Sequence, residues 1–126
     1  MRLTRYILLL TLLAAATAAQ ADRQLLSRNG ESSLYFDPLT VVRGTRPHVW
    51  VLLDYGKPDE YQDLSARMLF ESNCYDRTLR IRSAVYYKEP MARGDTTSEY
   101  QPTPWETPAA GSYQAEALFF LCGKTP

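Results

Sequence analysis

The chain has 126 residues, 45% of them hydrophobic, with 14 Lys and Arg balanced by 14 Asp and Glu. That length suits one small domain and is too short for two. The charge balance excludes a general nucleic-acid binder, which needs a basic excess to neutralise phosphates.

The opening segment, MRLTRYILLLTLLAAATAAQA, places Arg2 and Arg5 before an apolar run from Tyr6 to Ala16, with small residues at Ala19 and Ala21. It reads as a secretory signal peptide, residues 1–21, cleaved after Ala21. An uncleaved anchor is the competing reading, but the run is shorter than the ~20 residues that cross a bilayer. Cleavage leaves residues 22–126 as a single domain of 105 residues with 12 cationic and 14 anionic side chains, a net of −2. The residue directly after the cleavage point is Asp22, not the cysteine that lipidation needs. An exported protein without a lipid anchor is therefore expected, in the periplasm, at the cell surface or secreted, with no membrane span after processing.

Cys74 and Cys122 both survive cleavage and enter an oxidising compartment, so a disulfide between them is expected. Free reactive thiols are the alternative. No Cys-x-x-Cys spacing or nearby histidine supports them.

After the leader, Asn29-Gly30 lies between two short runs with apolar residues, the signature of a hairpin closed by a type I′ turn. Asp37-Pro38 ends the second strand. LTVV, residues 39–42, predicts another, stopped by the turn-forming RGTRP of 43–47. HVWVLLDY, residues 48–55, is apolar at both parities, which predicts a central strand covered at least in part on both faces.

GKPDEYQD, residues 56–63, is a polar loop. In LSARMLFESNC, Ala66, Met68, Phe70 and Cys74 share one parity, and Ser65, Arg67 and Glu71 the other. In TLRIRSAVYYK the apolar residues Leu79, Ile81 and Val85 are odd-numbered, so the inward parity switches. A tight turn near Tyr75-Asp76 accommodates the switch, making 65–74 and 77–88 a hairpin with Cys74 at its tip. Residues 89–107 read as a long loop with a short edge strand near 97–101. Its PTPW segment is either a covering loop with Trp105 in the core or a mimic of a proline-rich ligand. Beyond Pro108 the period becomes helical, with Ala115, Leu118, Phe119 and Cys122 on one stripe and Gly123 as terminator. The disulfide would then fasten the helix to the hairpin tip.

Catalytic and metal-binding signatures are missing. His48 is the sole histidine and directly follows Pro47, so a Ser/His/Asp arrangement or a mixed nitrogen–oxygen metal site has little to build on. Asp59, Glu60 and Asp63 lack the spacing and glycine of an EF-hand, and neither a Gly-x-Ser-x-Gly elbow nor a phosphate-cradling glycine loop occurs. No catalytic, cofactor-binding or metal-binding residue is assigned, and no cofactor is expected. A small hydrolase with paired carboxylates is the remaining enzymatic alternative, without a pair that stands out.

The feature that invites a binding role is the arginine row. Arg80 and Arg82 alternate along one strand and Arg67 lies on its hairpin partner, with Tyr86 close by. Arginine beside tyrosine is enriched at protein interfaces. The competing reading is a solvated sheet face, where arginine stems lie flat over the strands.

The order of LYFDPLTVVR, HVWVLLDY, Ser65, ESNC, Arg80, Tyr87, Gly94, Trp105 and the closing GS and LC resembles the bacterial surface-adhesin protein E family, from about Leu34 to Cys122. The resemblance implies a small antiparallel sheet with a C-terminal helix tethered by a disulfide. It implies, too, an exported, non-enzymatic protein that binds extracellular matrix or serum proteins such as vitronectin and laminin, with homodimerisation through the sheet a further expectation. The chain departs from the family in lacking a lipidation cysteine and in its short N-terminal segment, so no ligand-binding residue is transferred.

The combined expectation is an α+β fold: one small domain with an antiparallel β-sheet of five or six strands and one C-terminal α-helix tethered by a disulfide. Its expected role is adhesin-like binding of protein partners through an exposed sheet face. The alternative is a periplasmic, envelope-associated protein that self-associates and has no host ligand.

Overall fold

The computed structural model describes residues 23–99 and 102–124. The expected signal peptide lies outside the described residues, as do positions 100 and 101 of the expected edge strand. Six strands run in chain order across one sheet: β1 (Gln24–Asn29), β2 (Ser32–Phe36), β3 (His48–Asp54), β4 (Ser65–Asn73), β5 (Thr78–Glu89) and β6 (Arg93–Glu99). Every neighbouring pair is antiparallel. Helix α1 (Tyr113–Cys122) packs against one face.

The Asn29-Gly30 signal does produce the first hairpin, but not the expected turn. Asn29 pairs with Ser32, so Gly30 and Glu31 form the corner. Gly30 alone takes a positive φ there, at 62°, as in a II′ turn with glycine first. The expected strand at 39–42 is a 3₁₀ turn over Pro38–Thr40. Asp37 accepts a hydrogen bond from the Leu39 N–H at 3.0 Å, and Pro38 presets the first helical φ. Only Val42 retains a bridge, to His48.

Strand β3 is central, between β2 and β4. Val49 and Val51 face the helix-side core with Leu34, Ala66, Met68 and Phe70. Leu52 points the other way and is still only 1% exposed, which accounts for the apolar character at both parities. The β4–β5 hairpin forms as expected, with residues 74–77 as its tip.

Strand β5 departs from simple alternation. Phe70 pairs with Ile81 but Leu69 with Ser83, so Arg82 is an extra residue in a β-bulge. Leu79 and Ile81 face the core, and beyond the bulge Ala84 and Tyr86 take over that role. Val85 is thereby turned to the opposite face, contrary to the odd-parity expectation, because one inserted residue inverts the alternation.

Part of the long loop predicted over 89–107 is a full strand, β6. Strand β6 begins at Arg93, earlier than expected, because Asp54 and the buried Ser65 tie down the turn before it. Asp54 Oδ1 accepts from the Met91 N–H at 3.1 Å, and Ser65 Oγ accepts from the Ala92 N–H at 2.9 Å.

Helix α1 starts at Ser112, whose Oγ accepts from the Ala115 N–H at 3.1 Å, and stops at Gly123, where φ is 78°. No basic residue occupies its last turn. Arg43 and Arg77 supply that charge from outside, donating to the carbonyls of Phe120, Leu121 and Gly123. The buried stripe is Ala117, Leu118 and Leu121, whereas Phe119 is 47% exposed. That is a rotated version of the expected stripe. The run AEALFFLC is apolar almost all round, so spacing alone does not set its phase. The disulfide is formed between Cys74 and Cys122, with Cα atoms 5.4 Å apart, and fastens the helix end to the β4–β5 tip.

Candidate functional site on the open sheet face

The sheet face opposite the helix is lined by alternate residues of β2 to β5: Tyr35, Trp50, Leu52, Arg67, Leu69 and Glu71, then Arg80, Arg82, Val85 and Tyr87. Apolar groups at these outward positions distinguish it from a plain solvated face.

At one end of the face lies a buried carboxylate. Glu71 has a side-chain exposure of 5% and accepts from three guanidinium N–H groups. Arg80 gives Nε at 3.1 Å and Nη2 at 2.9 Å to Oε1. Arg82 Nη1 lies 3.1 Å from Oε2. Both arginines leave on the same side beside one acid, Arg80 directly opposite Glu71 and Arg82 two residues further along the strand. A buried carboxylate needs such donors, since its desolvation otherwise costs several kcal/mol.

Arg80 is stacked as well, its guanidinium carbon 4.6 Å from the centre of the Trp105 ring. Arg46 approaches the same ring at 5.6 Å. Trp105 is therefore not in the core as expected. The backbone holds it at the sheet edge, where Leu79 and Glu106 exchange hydrogen bonds and the Thr103 N–H donates to the Ile81 carbonyl at 2.9 Å. A tryptophan ring facing guanidinium groups gains cation–π attraction that burial in an apolar core would forgo.

Arg67 lies on the same face but apart from this cluster. Four residues of extended strand separate it from Glu71, about 13 Å. Its guanidinium carbon is 5.0 Å from the Trp50 ring centre. The arginine row is thus two aromatic-stacked stations rather than one charged patch. Tyr86 does not join them. It pairs with Ala66 and Thr97 and packs against the helix-side core, because the bulge turned it inward, and Tyr87 holds the outward position instead.

Glu71 is the residue that sequence reasoning missed. An acid at outward parity, directly across from Arg80, is the signal that points to it. The helix-side cleft under the 56–63 loop has a volume of about 730 Å³ and includes Asp59, Glu60, Asp63 and Tyr86 in its lining. Two of its three acids are already engaged. Asp59 Oδ1 accepts from the N–H groups of Tyr61 and Asp63 at 2.9 and 2.8 Å, and Asp63 pairs with Lys88 at 2.9 Å. Among the described residues no three potential metal ligands converge. Burial, reinforced by Tyr86, Asp59 and Asp63, pushes the nearby Tyr55 phenol well above its ordinary value. His48 Nδ1 lies 3.1 Å from the Arg46 carbonyl.

The family model for surface-adhesin protein E matches residues 23–123. The chain belongs to the surface-adhesin protein E family. That family is one of adhesins, not of enzymes. Solved structures of Haemophilus influenzae protein E share the fold. Crystal form II aligns with a TM-score of 0.59 at 15% identity, over 82% of this chain and 89% of that one. A second, selenomethionine form gives 0.57 at 14% identity, over 82% and 88%. Protein E from a non-typeable strain gives 0.56 at 15% identity, over 84% and 78%. No curated protein sequence matches the chain. Membership of a surface-adhesin family implies an exported or cell-surface protein with protein partners. No helix among the described residues is long and apolar enough to cross a membrane.

Proposed function

We propose that the protein is exported through a cleaved signal peptide, residues 1–21, and adheres to extracellular proteins through the open sheet face. The observation that carries this reading is the buried Glu71 carboxylate, which fixes Arg80 and Arg82 side by side next to Trp105. Arginine and tryptophan dominate binding hot spots, and a guanidinium already held in place loses little conformational entropy when a partner arrives. Arg67 on Trp50 supplies a second contact station, with Leu69, Val85 and Tyr87 on the same face.

Matrix or serum proteins such as vitronectin and laminin are the partner class, in keeping with the family's adhesive character. No catalytic or cofactor chemistry is assigned. A second reading, a periplasmic protein that self-associates, is favoured by one observation. Among the described residues β1 has no neighbour on its outer edge, and Leu25 there is 46% exposed, so a second copy could extend the sheet.

Protease treatment of intact cells, with a periplasmic marker as control, separates the two. Digestion of this protein while the marker survives is the expected result. Protection until the outer membrane is opened would replace the adhesive reading with the periplasmic one.

A further inference from the structure

The β5–β6 hairpin carries a charged tripeptide that neither the core nor the open face uses. Arg93, Gly94 and Asp95 are all exposed. Among the described residues neither the Arg93 nor the Asp95 side chain has a hydrogen-bond or ion-pair partner. Nearby charges are spent differently, Lys88 on Asp63 and Asp54 on the Met91 N–H.

Register sets how the tripeptide is displayed. Glu89 pairs with Arg93 and Tyr87 with Thr96, so Gly94 and Asp95 together oppose Lys88. Gly94 takes a φ of 83°, the conformation that a glycine bulge requires. In a regular strand, residues two apart share a face. The bulge breaks that rule, so Arg93 leaves on the side of Glu89 and Asp95 on the side of Lys88. A cation and an anion thus project in opposite directions from a ribbon whose central residue has no side chain.

The display is also rigid. Met91 and Ala92 just before it hold positive φ angles of 58° and 59°, which non-glycine residues adopt only when their surroundings impose it. Asp54 and Ser65 impose it through the N–H bonds of Met91 and Ala92, and Ser65 also donates to the Glu89 carbonyl at 2.7 Å. Such preorganisation lowers the entropic cost of binding.

We propose that Arg93-Gly94-Asp95 is a second adhesive site. Its receptor would take the Asp95 carboxylate on a divalent cation and the Arg93 guanidinium in an acidic pocket, the chemistry of integrins that read Arg-Gly-Asp. Magnesium and manganese favour carboxylate oxygens, and a guanidinium forks onto carboxylates. A Cβ at Gly94 would collide with the Glu89 side chain, which fills that side of the ribbon, so the position takes only glycine. The site rests on the protein being displayed outside the cell, as the adhesive reading holds, but it is separate from the cluster of Arg80, Arg82 and Trp105 at the other end of β5.

The test is binding of the purified domain to immobilised Arg-Gly-Asp-binding integrin ectodomains in magnesium- and manganese-containing buffer. Saturable binding is expected, abolished by EDTA and competed by a short Arg-Gly-Asp peptide. Asp95→Glu keeps the charge but moves the carboxylate by about 1.5 Å. It should weaken integrin binding at least about thirtyfold, with an unchanged circular dichroism spectrum. The pair Arg80→Ala and Arg82→Ala should leave integrin binding intact, and Asp95→Glu should leave capture of matrix proteins intact. The two sites can therefore fail independently. No saturable binding by the wild-type domain, binding that survives EDTA, or binding that survives Asp95→Glu would each overturn the proposal.

Discussion

Replacing Glu71 with glutamine removes one negative charge from beneath two guanidinium groups while leaving side-chain volume nearly unchanged. One oxygen of the new amide can still accept from Arg80, but the amide nitrogen then faces Arg82 Nη1, donor against donor. Two of the three bonds to Glu71 come from Arg80, which is 24% exposed, and one from Arg82, which is 47% exposed. A hydrogen bond to a charged group contributes about 1.5–3 kcal/mol where solvent is excluded. The exposed Arg82 contact contributes under about 1 kcal/mol because water screens it. Together these predict a loss of about 2–4 kcal/mol for Glu71→Gln, on the order of 10 °C in melting temperature for a domain of this size. Arg82→Ala should cost less than about 1 kcal/mol. Arg80→Ala should resemble Glu71→Gln, because it strips a buried carboxylate of two donors. Urea titration followed by tryptophan fluorescence is the assay, since Trp105 is stacked on Arg80. Equal midpoints for Glu71→Gln and Arg82→Ala would refute the idea that a buried acid organises this face.

Removing the disulfide by Cys122→Ala frees a loop of 48 residues in sequence separation, worth about 4 kcal/mol in the chain-entropy account. An unchanged melting temperature would show that the helix needs no tether. The Tyr55 phenol predicts an alkaline limit. Its folded-state pKa is raised above the ordinary value of 10.0, so the native state holds that proton more tightly than the unfolded chain. Its contribution is present in full below about pH 10 and is lost as the pH climbs above that value. Urea midpoints measured from about pH 8 to about pH 11 should fall for the wild type and fall less for Tyr55→Phe. Parallel curves would sink the assignment.

Strand β3, the β4–β5 hairpin and the disulfide were legible in the sequence because each rests on a local signal. A run apolar at both parities, a parity switch at a tight turn and a cysteine pair in an exported chain depend little on distant residues. The bulge at Arg82 was not legible, since nothing in TLRIRSAVYYK marks where an extra residue enters. That one residue decides that Tyr87 and not Tyr86 faces outward. Trp105 and the start of β6 were misread for a related reason. Their positions depend on partners far away in sequence, Arg80 and Arg46 for the ring, Asp54 and Ser65 for the turn. The outward apolar residues Trp50, Leu52 and Leu69 were visible in the sequence. They already distinguish this face from a plain solvated one.

Adhesion through the open face is tested most directly by binding of the purified domain to immobilised vitronectin and laminin, comparing wild type with Arg80→Ala, Arg82→Ala and the two combined. The wild type should bind saturably. Arg82→Ala, which barely perturbs stability, should weaken binding, and the combined variant should weaken it further at a temperature where circular dichroism shows it folded. Binding by the combined variant that equals wild type to every captured partner would contradict the account and leave the arginines as a solvated cover for the sheet.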